Sequence, residues 1–347
     1  MPPPREKPAP TILSPLARAA EPLYRWEINR RNRAFDRGHA VTTLDRPVLS
    51  VGNLSVGGTG KTPTVRKLLR WLLEGEHKPC VAMRGYKSTP AVESDEASAH
   101  RRAFPTVPVV AQPDRIAGLR ALFETQVGRD TDCVVLDDGF QHRRLARDFD
   151  LVLVDASRSP FHDRLIPAGW LREPVESLAR ASAVVVTHAE LATPEELNQL
   201  TADVERVHAK PPIAVTSHDW TELDTLAETG EAVRPVSILR GVRALAVCAI
   251  GHPDAFIASA RRAVGDGRLE TITLRDHDPY KASTLEAIIE RARLIDAHYL
   301  ITTDKDWSKL ADVPQDRWPC PVARPRLRLG FTRGEDELRE AVLQTVR

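Results

Sequence analysis

The stretch SVGNLSVGGTGKTP, residues 50–63, lies between an apolar run beginning at Pro47 and the amphipathic segment TVRKLLRWLLEG. A phosphate-binding loop ordinarily reads G-x-x-x-x-G-K-[ST], and aligning Gly60, Lys61 and Thr62 with its end puts Ser55 where the first glycine is expected. The chemistry of such a loop survives that change. Consecutive backbone N–H groups of residues 55–62 (Ser55, Val56, Gly57, Gly58, Thr59, Gly60, Lys61 and Thr62) can wrap a phosphate at a helix N-terminus. The Lys61 ammonium reaches the outer phosphates and the Thr62 hydroxyl is a Mg²⁺ ligand. Gly57, Gly58 and Gly60 supply backbone freedom, with Gly52 just upstream.

Outward from this loop, strand and helix patterns alternate. PVLSVGN reads as a buried strand, and Val65, Leu68, Leu69, Leu72 and Leu73 form one face of the following helix, which stops at Gly75. KPCVAMRG, VPVVAQ, DCVVLDDG, FDLVLVDA and SAVVVTHAE are further short apolar runs, which predicts a parallel sheet covered by helices on both faces. A second set, ALAVCAIG, LETITL and HYLITTDKD, begins near Ala244 and is bracketed by the extended segments PIAVTSHDW and PVARPRLRL, which would pair as a two-stranded hinge. The expected fold class is therefore α/β: a P-loop NTPase-like parallel sheet flanked by helices, joined by that hinge to a smaller C-terminal α/β domain. The expected divisions are an N-terminal arm at 1–45, a P-loop domain at 46–212, a linker at 213–237, a C-terminal domain at 238–320, and a return strand with a C-terminal helix at 321–347.

The 347 residues suit about two domains. A net charge of +1 and only 5% aromatic residues give no support to nucleic-acid binding, and nothing in the sequence marks an obligate protein partner. Residues 1–46 carry nine basic against five acidic groups, so the arm is locally basic. Within it Ile12, Leu16, Ala20, Leu23 and Trp26 recur at helical spacing. Ser14-Pro15 suits a helix start, whereas Pro22 is expected to break or restart the helix. That segment would lie on an anionic membrane surface with Arg18, Arg25, Arg30, Arg31 and Arg33 near the headgroups, or dock on the core as an ordinary helix. No uncharged apolar run is long enough to span a bilayer, and MPPPREKPAPT lacks the core of a signal peptide. Cys80, Cys133, Cys248 and Cys320 have neither zinc nor redox spacing and read as reduced, buried thiols.

CVVLDDGFQH, residues 133–142, has the form of a Walker B segment, a buried strand ending in acid, and makes Asp137 and Asp138 the Mg²⁺ candidates. Taken in order, GNLSVGGTGKTP, RGYK, SDEA, DDGFQHRRLARD, IPAGWLREP, AIGHPDAF, RDHDPY and TTDKDWSKL resemble the blocks of the tetraacyldisaccharide 4′-kinase family of lipid A synthesis, from about Pro47 to Leu310. That family carries GNxxxGGTGKTP, which accommodates Ser55.

The resemblance implies ATP- and Mg²⁺-dependent phosphorylation of the 4′-hydroxyl of a lipid disaccharide 1-phosphate, by a peripheral enzyme at the cytoplasmic face of the bacterial inner membrane. It makes Asp95 the acid–base group, His277 its partner and Lys61 the charge stabiliser. Because Asp95 and His277 fall in different expected domains, catalysis would require domain closure. The same blocks mark Arg84, Tyr86, Gln141, His142 and Arg172 as substrate contacts, although Arg172 could instead pair with Glu173 or Glu176, and Lys305 could be a plain surface charge. Ser94, Ala97, Met83 and Lys87 depart from the family pattern, as does His252 in place of an asparagine. A regulatory P-loop switch and a kinase for a soluble sugar or nucleoside are the competing readings. A GTPase switch should show N/T-K-x-D, and in TDKD at Thr303 the lysine comes one place late.

Overall fold

A computed structural model describes residues 14–85, 95–227, 230–251, 253–276 and 278–347, except for the side chains of Ser14 and Asp95. The chain forms two compact units, one comprising residues 1–217 and 331–347, the other His218–Gly330. In chain order the first unit holds α1 (Ser14–Asp36), β1 (Val48–Asn53), α2 (Lys61–Glu74), β2 (Pro79–Met83), α3 (Asp95–Ala103), β3 (Val109–Ala111), α4 (Arg115–Phe123), α5 (Gln126–Arg129), β4 (Cys133–Asp137), β5 (Phe149–Asp155), β6 (Ala183–Thr187) and α6 (Pro194–His208). The strand β7 (Ala214–Ala227) carries the chain into the second unit, which adds β8 (Gly230–Pro235), β9 (Arg243–Cys248), α7 (Pro253–Val264), β10 (Arg268–Thr273), α8 (Ala282–Leu294), β11 (Tyr299–Thr302) and α9 (Asp304–Leu310). The chain returns along β12 (Val322–Arg333), and α10 (Glu335–Thr345) completes the first unit.

The first unit is built on a sheet ordered β7-β6-β5-β1-β4-β2-β3, with every pairing parallel. Its central strands are buried along their whole length, the pattern of a sheet covered on both faces. Alternation along β1 and its neighbours separates the two sides. Leu49, Val51, Val135, Leu151 and Leu153 face the α2 and α10 side, whereas Val48, Val134 and Leu136 pack with Leu119 on the other.

On α2 the buried face consists of Thr64, Val65, Leu68, Leu69, Trp71 and Leu72. Each fully buried leucine there contributes about 1.5–3 kcal/mol. Leu73, assigned to that face from the sequence, is 37% exposed. The cause is packing: α10 and Phe331 at the end of β12 cover the flank of α2, so Trp71, tilted against Phe331 at 5.8 Å, is buried while Leu73 is not.

The sheet order reverses at β1, which lies between β4 and β5. In open α/β sheets ligands bind outside the carboxyl ends of the strands at such a reversal, which points to the segments that follow β1 and β4. Register places Val51 opposite Asp137, so the phosphate loop and the acidic strand end emerge side by side. They approach so closely that a Cβ on Gly52 would stand 2.5 Å from the Phe140 Cβ.

Pro22 does not interrupt α1, contrary to the sequence expectation; one helix runs through it. Proline removes the N–H that would bond the carbonyl four residues back. Tertiary anchors on both sides hold the axis: Glu21 accepts from Arg164 at 3.1 Å and from the Leu165 N–H at 3.3 Å, and Tyr24 donates to the Arg172 carbonyl at 3.0 Å.

The strands of the second unit are ordered β10-β9-β11-β12-β7, with β8 antiparallel to β7. β9 lies at its centre between β10 and β11, all parallel. Two cores flank these strands, one of Leu245, Val247, Ile288, Leu300 and Trp307, the other of Ala244, Ala246, Phe256 and Ile301.

Gly52→Ala should destabilise the protein by about 1–3 kcal/mol or more, since backbone as well as side-chain atoms of Phe140 must move. Urea unfolding followed by tryptophan fluorescence measures this, and an unchanged midpoint would contradict the close approach of β1 to residue 140.

Candidate active site

The loop between β1 and α2 is stitched to the segment IPAGWLREP rather than standing free. Val56 N–H donates to the Trp170 carbonyl at 2.8 Å and Arg172 N–H to the Leu54 carbonyl at 2.7 Å, and Ser55 forms an antiparallel bridge with Leu171. A bridged, extended residue needs no left-handed backbone, which explains why serine serves where other loops use glycine. Left-handed conformations fall instead at Gly57 (φ 110°) and Gly60 (φ 82°), the latter immediately before α2. Asn53 braces the turn by donating to the Ser55 carbonyl at 2.8 Å, and Thr187 at the end of β6 donates to the Thr59 carbonyl at 3.0 Å.

Lys61 opens α2 with its Nζ 3.2 Å from Asn53 Oδ1 and 3.5 Å from Asp138 Oδ1. Arg172 donates to both Asp138 oxygens, at 3.0 and 2.8 Å, and to Gln141 Oε1 at 3.2 Å. One carboxylate thus bridges two cations. Burial opposes its charge, but Lys61 and Arg172 overcome that cost and hold the Asp138 carboxyl well below the usual carboxylate range. Asp138 sits at φ 55°, just past the end of β4, with its carbonyl accepting from the buried Arg115 at 3.1 Å. Arg172 pairs with neither Glu173 nor Glu176 here; Glu173 accepts from Arg180 at 2.7 Å.

Asp137 is different. It is buried, and its Oδ2 lies 3.0 Å from Nε2 of His100, itself buried on α3. The Nδ1 of His100 has no hydrogen-bond partner among the described residues. Nothing in the run SAHRRAF flagged this histidine, because its partner lies 37 residues away in sequence. Arg115, Asn53 and Thr187 were also missed; only Asn53, within the GN preceding the loop, carried a readable signal.

The donor set suits a hard divalent cation shared with phosphate oxygens. Thr62 lies in the first turn of α2 and the two acids at the end of β4, and among the described residues no group of three or more His, Cys, Asp or Glu could form an all-protein cage. Mg²⁺ ordinarily takes one or two carboxylates together with substrate phosphates, so these residues fit it.

Of the sequence-predicted residues, Lys61, Asp138, Gln141 and Arg172 come together directly, with Asp137 adjacent in the chain. Gln141 also donates to the Asn53 carbonyl at 2.9 Å. Arg84 is exposed. Asp95 begins α3, but its side chain, Tyr86 and His277 lie outside the described residues. His142 turns its N–H to the Gly139 carbonyl at 2.8 Å, and its Nε2 is buried with no hydrogen-bond partner among the described residues.

The helix α1 docks beside this cluster through a polar seam. Besides the Glu21 and Tyr24 anchors, Asn32 donates to Glu173 at 3.0 Å, and Arg143 bonds the Asn32 carbonyl and Asp36. Ala17 and Ile28 are buried along the same side. The stripe read as apolar from the sequence faces away, with Leu16, Leu23 and Trp26 exposed by 69%, 70% and 61%. Next to Trp26 an open cleft of about 410 Å³ is lined by Arg30, Arg33, Arg37 and His39.

The profile of the family described as tetraacyldisaccharide-1-P 4′-kinase matches residues 11–347. Among relatives named tetraacyldisaccharide 4′-kinase, that of Geobacter sulfurreducens is 36% identical over 308 residues, covering 83% of this chain and 82% of the relative. That of Chlorobium luteolum is 32% identical over 356 residues, covering 96% and 98%. Among solved structures, LpxK from Aquifex aeolicus in complex with ATP is similar, with a TM-score of 0.68 at 29% identity, covering 97% of this chain and 99% of that one.

Burial, with Arg115, Arg147 and Arg144 nearby, lowers the His142 pKa from an ordinary 6.5 to about 4. The folded chain then binds fewer protons at this site than the unfolded chain between those values, so this contribution to stability is full above pH 6.5 and is lost as pH falls toward 4. NMR titration of the ring should show it neutral at pH 6, and His142→Gln should flatten the fall in stability across that window. A midpoint near 6.5 would contradict the burial argument.

Proposed function

As this chain belongs to the tetraacyldisaccharide 4′-kinase family and is a phosphotransferase of lipid A synthesis, we propose that it transfers the γ-phosphoryl group of ATP to the 4′-hydroxyl of tetraacyldisaccharide 1-phosphate. The observation that carries this reading is the meeting of Lys61, Asp138 and Arg172 at the switch point of the sheet, where a triphosphate on the loop would end.

The reaction forms a bond from the 4′ oxygen to the γ-phosphorus and breaks the bond from that phosphorus to the bridging oxygen, so that ADP leaves. Loop N–H groups and the positive end of α2 hold the phosphates, and Lys61 exchanges its contact with Asp138 for the outer phosphates as charge builds on them. Thr62, with Asp137 or Asp138, would hold a Mg²⁺ ion that neutralises phosphate charge. Arg172 and Gln141 keep Asp138 oriented. In this reading Asp95 accepts the hydroxyl proton and His277 orients or relays it, an assignment supported by the SDEA and RDHDPY blocks. Arg84, Tyr86 and His142 are assigned to the substrate on the same ground.

Work on a lipid substrate is further supported by the exposed Leu16, Leu23 and Trp26 beside a basic cleft, on a helix anchored to the Arg172 segment. We place that stripe on the acyl boundary and the arginines among anionic headgroups, making the enzyme peripheral at the cytoplasmic face of the inner membrane. Among the described residues no helix is long and apolar enough to cross a membrane.

Incubation with Mg·ATP and the disaccharide 1-phosphate should yield a product heavier by one phosphate, and no such product would refute the proposal. Lys61→Ala should lose most activity, about 10²-fold or more. Asp95→Ala and His277→Ala should each lower kcat by ~10² to 10⁴, with the double variant little worse than the weaker single one. Multiplicative losses would separate the two roles. Replacing Leu16, Leu23 and Trp26 together with serine should weaken sedimentation with anionic vesicles while leaving ATP affinity unchanged; undiminished sedimentation would move the membrane contact elsewhere.

A further inference from the structure

Asp137 closes β4 beside the phosphate loop and is only 4% exposed. A carboxylate taken out of water needs a donor, and while Lys61 and Arg172 hold Asp138, the donor to Asp137 is a histidine. His100, 1% exposed, has its Nε2 3.0 Å from Asp137 Oδ2. An ionised carboxylate only accepts, so Nε2 carries the proton in this bond.

The helix that supplies this donor turns little else inward. Of the described side chains of α3, Ala97 and His100 are buried, and their three-residue spacing puts them on one face. Nine residues do not make a stable helix by themselves. α3 is fastened from outside at the residues flanking the histidine: Arg66 of α2 donates to the Ala99 carbonyl at 3.1 Å, and Arg101 donates to the Val109 carbonyl of β3 at 2.9 Å. Since α2 opens with Lys61 and Thr62, the helix that carries the side chains of the loop also holds the backbone next to His100. An inward position on such a helix is ordinarily apolar. Leucine at 100 would leave the Asp137 oxygen without this donor.

We propose that His100 is a positioning residue for phosphoryl transfer, fixing the Asp137 carboxylate through its Nε2–H so that this acid stands ready to hold the divalent cation of the nucleotide complex. The proposal rests on the reading of Asp137 as an acid that holds that cation. A hydrogen bond to a ligating group fixes its orientation, and losing it weakens the metal site. As a source of stability the pair is poor, because both groups give up water to form it. Its consequence falls on where the carboxylate stands, which cation binding reads and melting does not.

The test uses the full chain, a non-hydrolysable ATP analogue and Mn²⁺, whose electron paramagnetic resonance signal reports the free ion. His100→Leu should weaken Mn²⁺ affinity in the analogue complex about 10- to 100-fold and raise by a similar factor the Mg²⁺ concentration that half-saturates kcat. Binding of the analogue in EDTA should stay unchanged, because the loop makes its own phosphate contacts. His100→Gln, whose amide can take the place of Nε2, should recover most of the Mn²⁺ affinity. Asp137→Asn should lose at least as much as His100→Leu, and combining the two should cost less than about 2-fold more. Should His100→Leu fold poorly, His100→Asn, too short to reach the same oxygen, takes its place beside His100→Gln. Wild-type Mn²⁺ affinity without the donor, whatever the melting temperature, overturns the positioning role and leaves His100 an anchor for α3. Equal losses with and without the donor overturn it as well. Wild-type Mn²⁺ affinity in Asp137→Asn removes the reading of Asp137, and the positioning role falls with it. If Mn²⁺ affinity depends on His100 as expected but the disaccharide is never phosphorylated, the proposed acceptor fails and the positioning role stands.

Discussion

Asp138 carries a carboxylate shared by two cations, and most of the phosphate site is arranged around that fact. Without it, Lys61 and Arg172 would face each other across a partly buried crevice with no compensating charge. With it, the loop lysine is held at the mouth of α2, and the guanidinium of Arg172 is fixed by three hydrogen bonds to Asp138 and Gln141. The backbone at Asp138 is left-handed, which turns the side chain away from the line of β4 and toward the loop. Asp137, one residue earlier and still on the strand, points to buried His100 instead. Two adjacent acids thereby acquire different surroundings.

Arg172 passes the constraint outward. Its N–H bonds the phosphate loop, its side chain bonds the acidic strand end, and its carbonyl receives Tyr24 from α1. The helix that exposes Leu16, Leu23 and Trp26 is therefore attached through one residue to the groups that would hold the transferring phosphate. In the proposed reading a lipid substrate has one end in a membrane and the other in the reaction, and a helix fixed to the Arg172 segment by Tyr24 and by the Glu21 and Asn32 contacts beside it suits that geometry.

In the second unit the same economy recurs on a smaller scale. A seven-residue helix, too short to be stable by its own hydrogen bonds, is fixed by the Thr303 cap, buried Trp307 and the buried carboxylate of Asp306. Once held, it offers two lysines at fixed spacing to Asp276 and the Asp278 carbonyl, in the segment after β10.

The fold class was legible because its signals are local. Short runs such as CVVLD and FDLVLVD must be buried on both faces, a glycine-rich turn before an amphipathic helix binds phosphate through its own backbone, and an acid pair closing an apolar strand lies wherever that strand ends. The order of the DDGFQH and LREP blocks identified the family for the same reason. Tertiary structure decided the rest. That Ser55 could replace glycine depends on a bridge to Leu171, that Arg172 pairs with Asp138 and not with Glu173 depends on two loops converging, and that His100 meets Asp137 depends on where α3 lies. For α1, periodicity found the apolar stripe but not its direction, since the docked side is a seam of Glu21, Tyr24 and Asn32 whose partners lie more than a hundred residues away. Helical spacing reports which side chains share a face; only the packed chain determines what that face meets, because the partners are brought together by the backbone path and not by their distance in sequence.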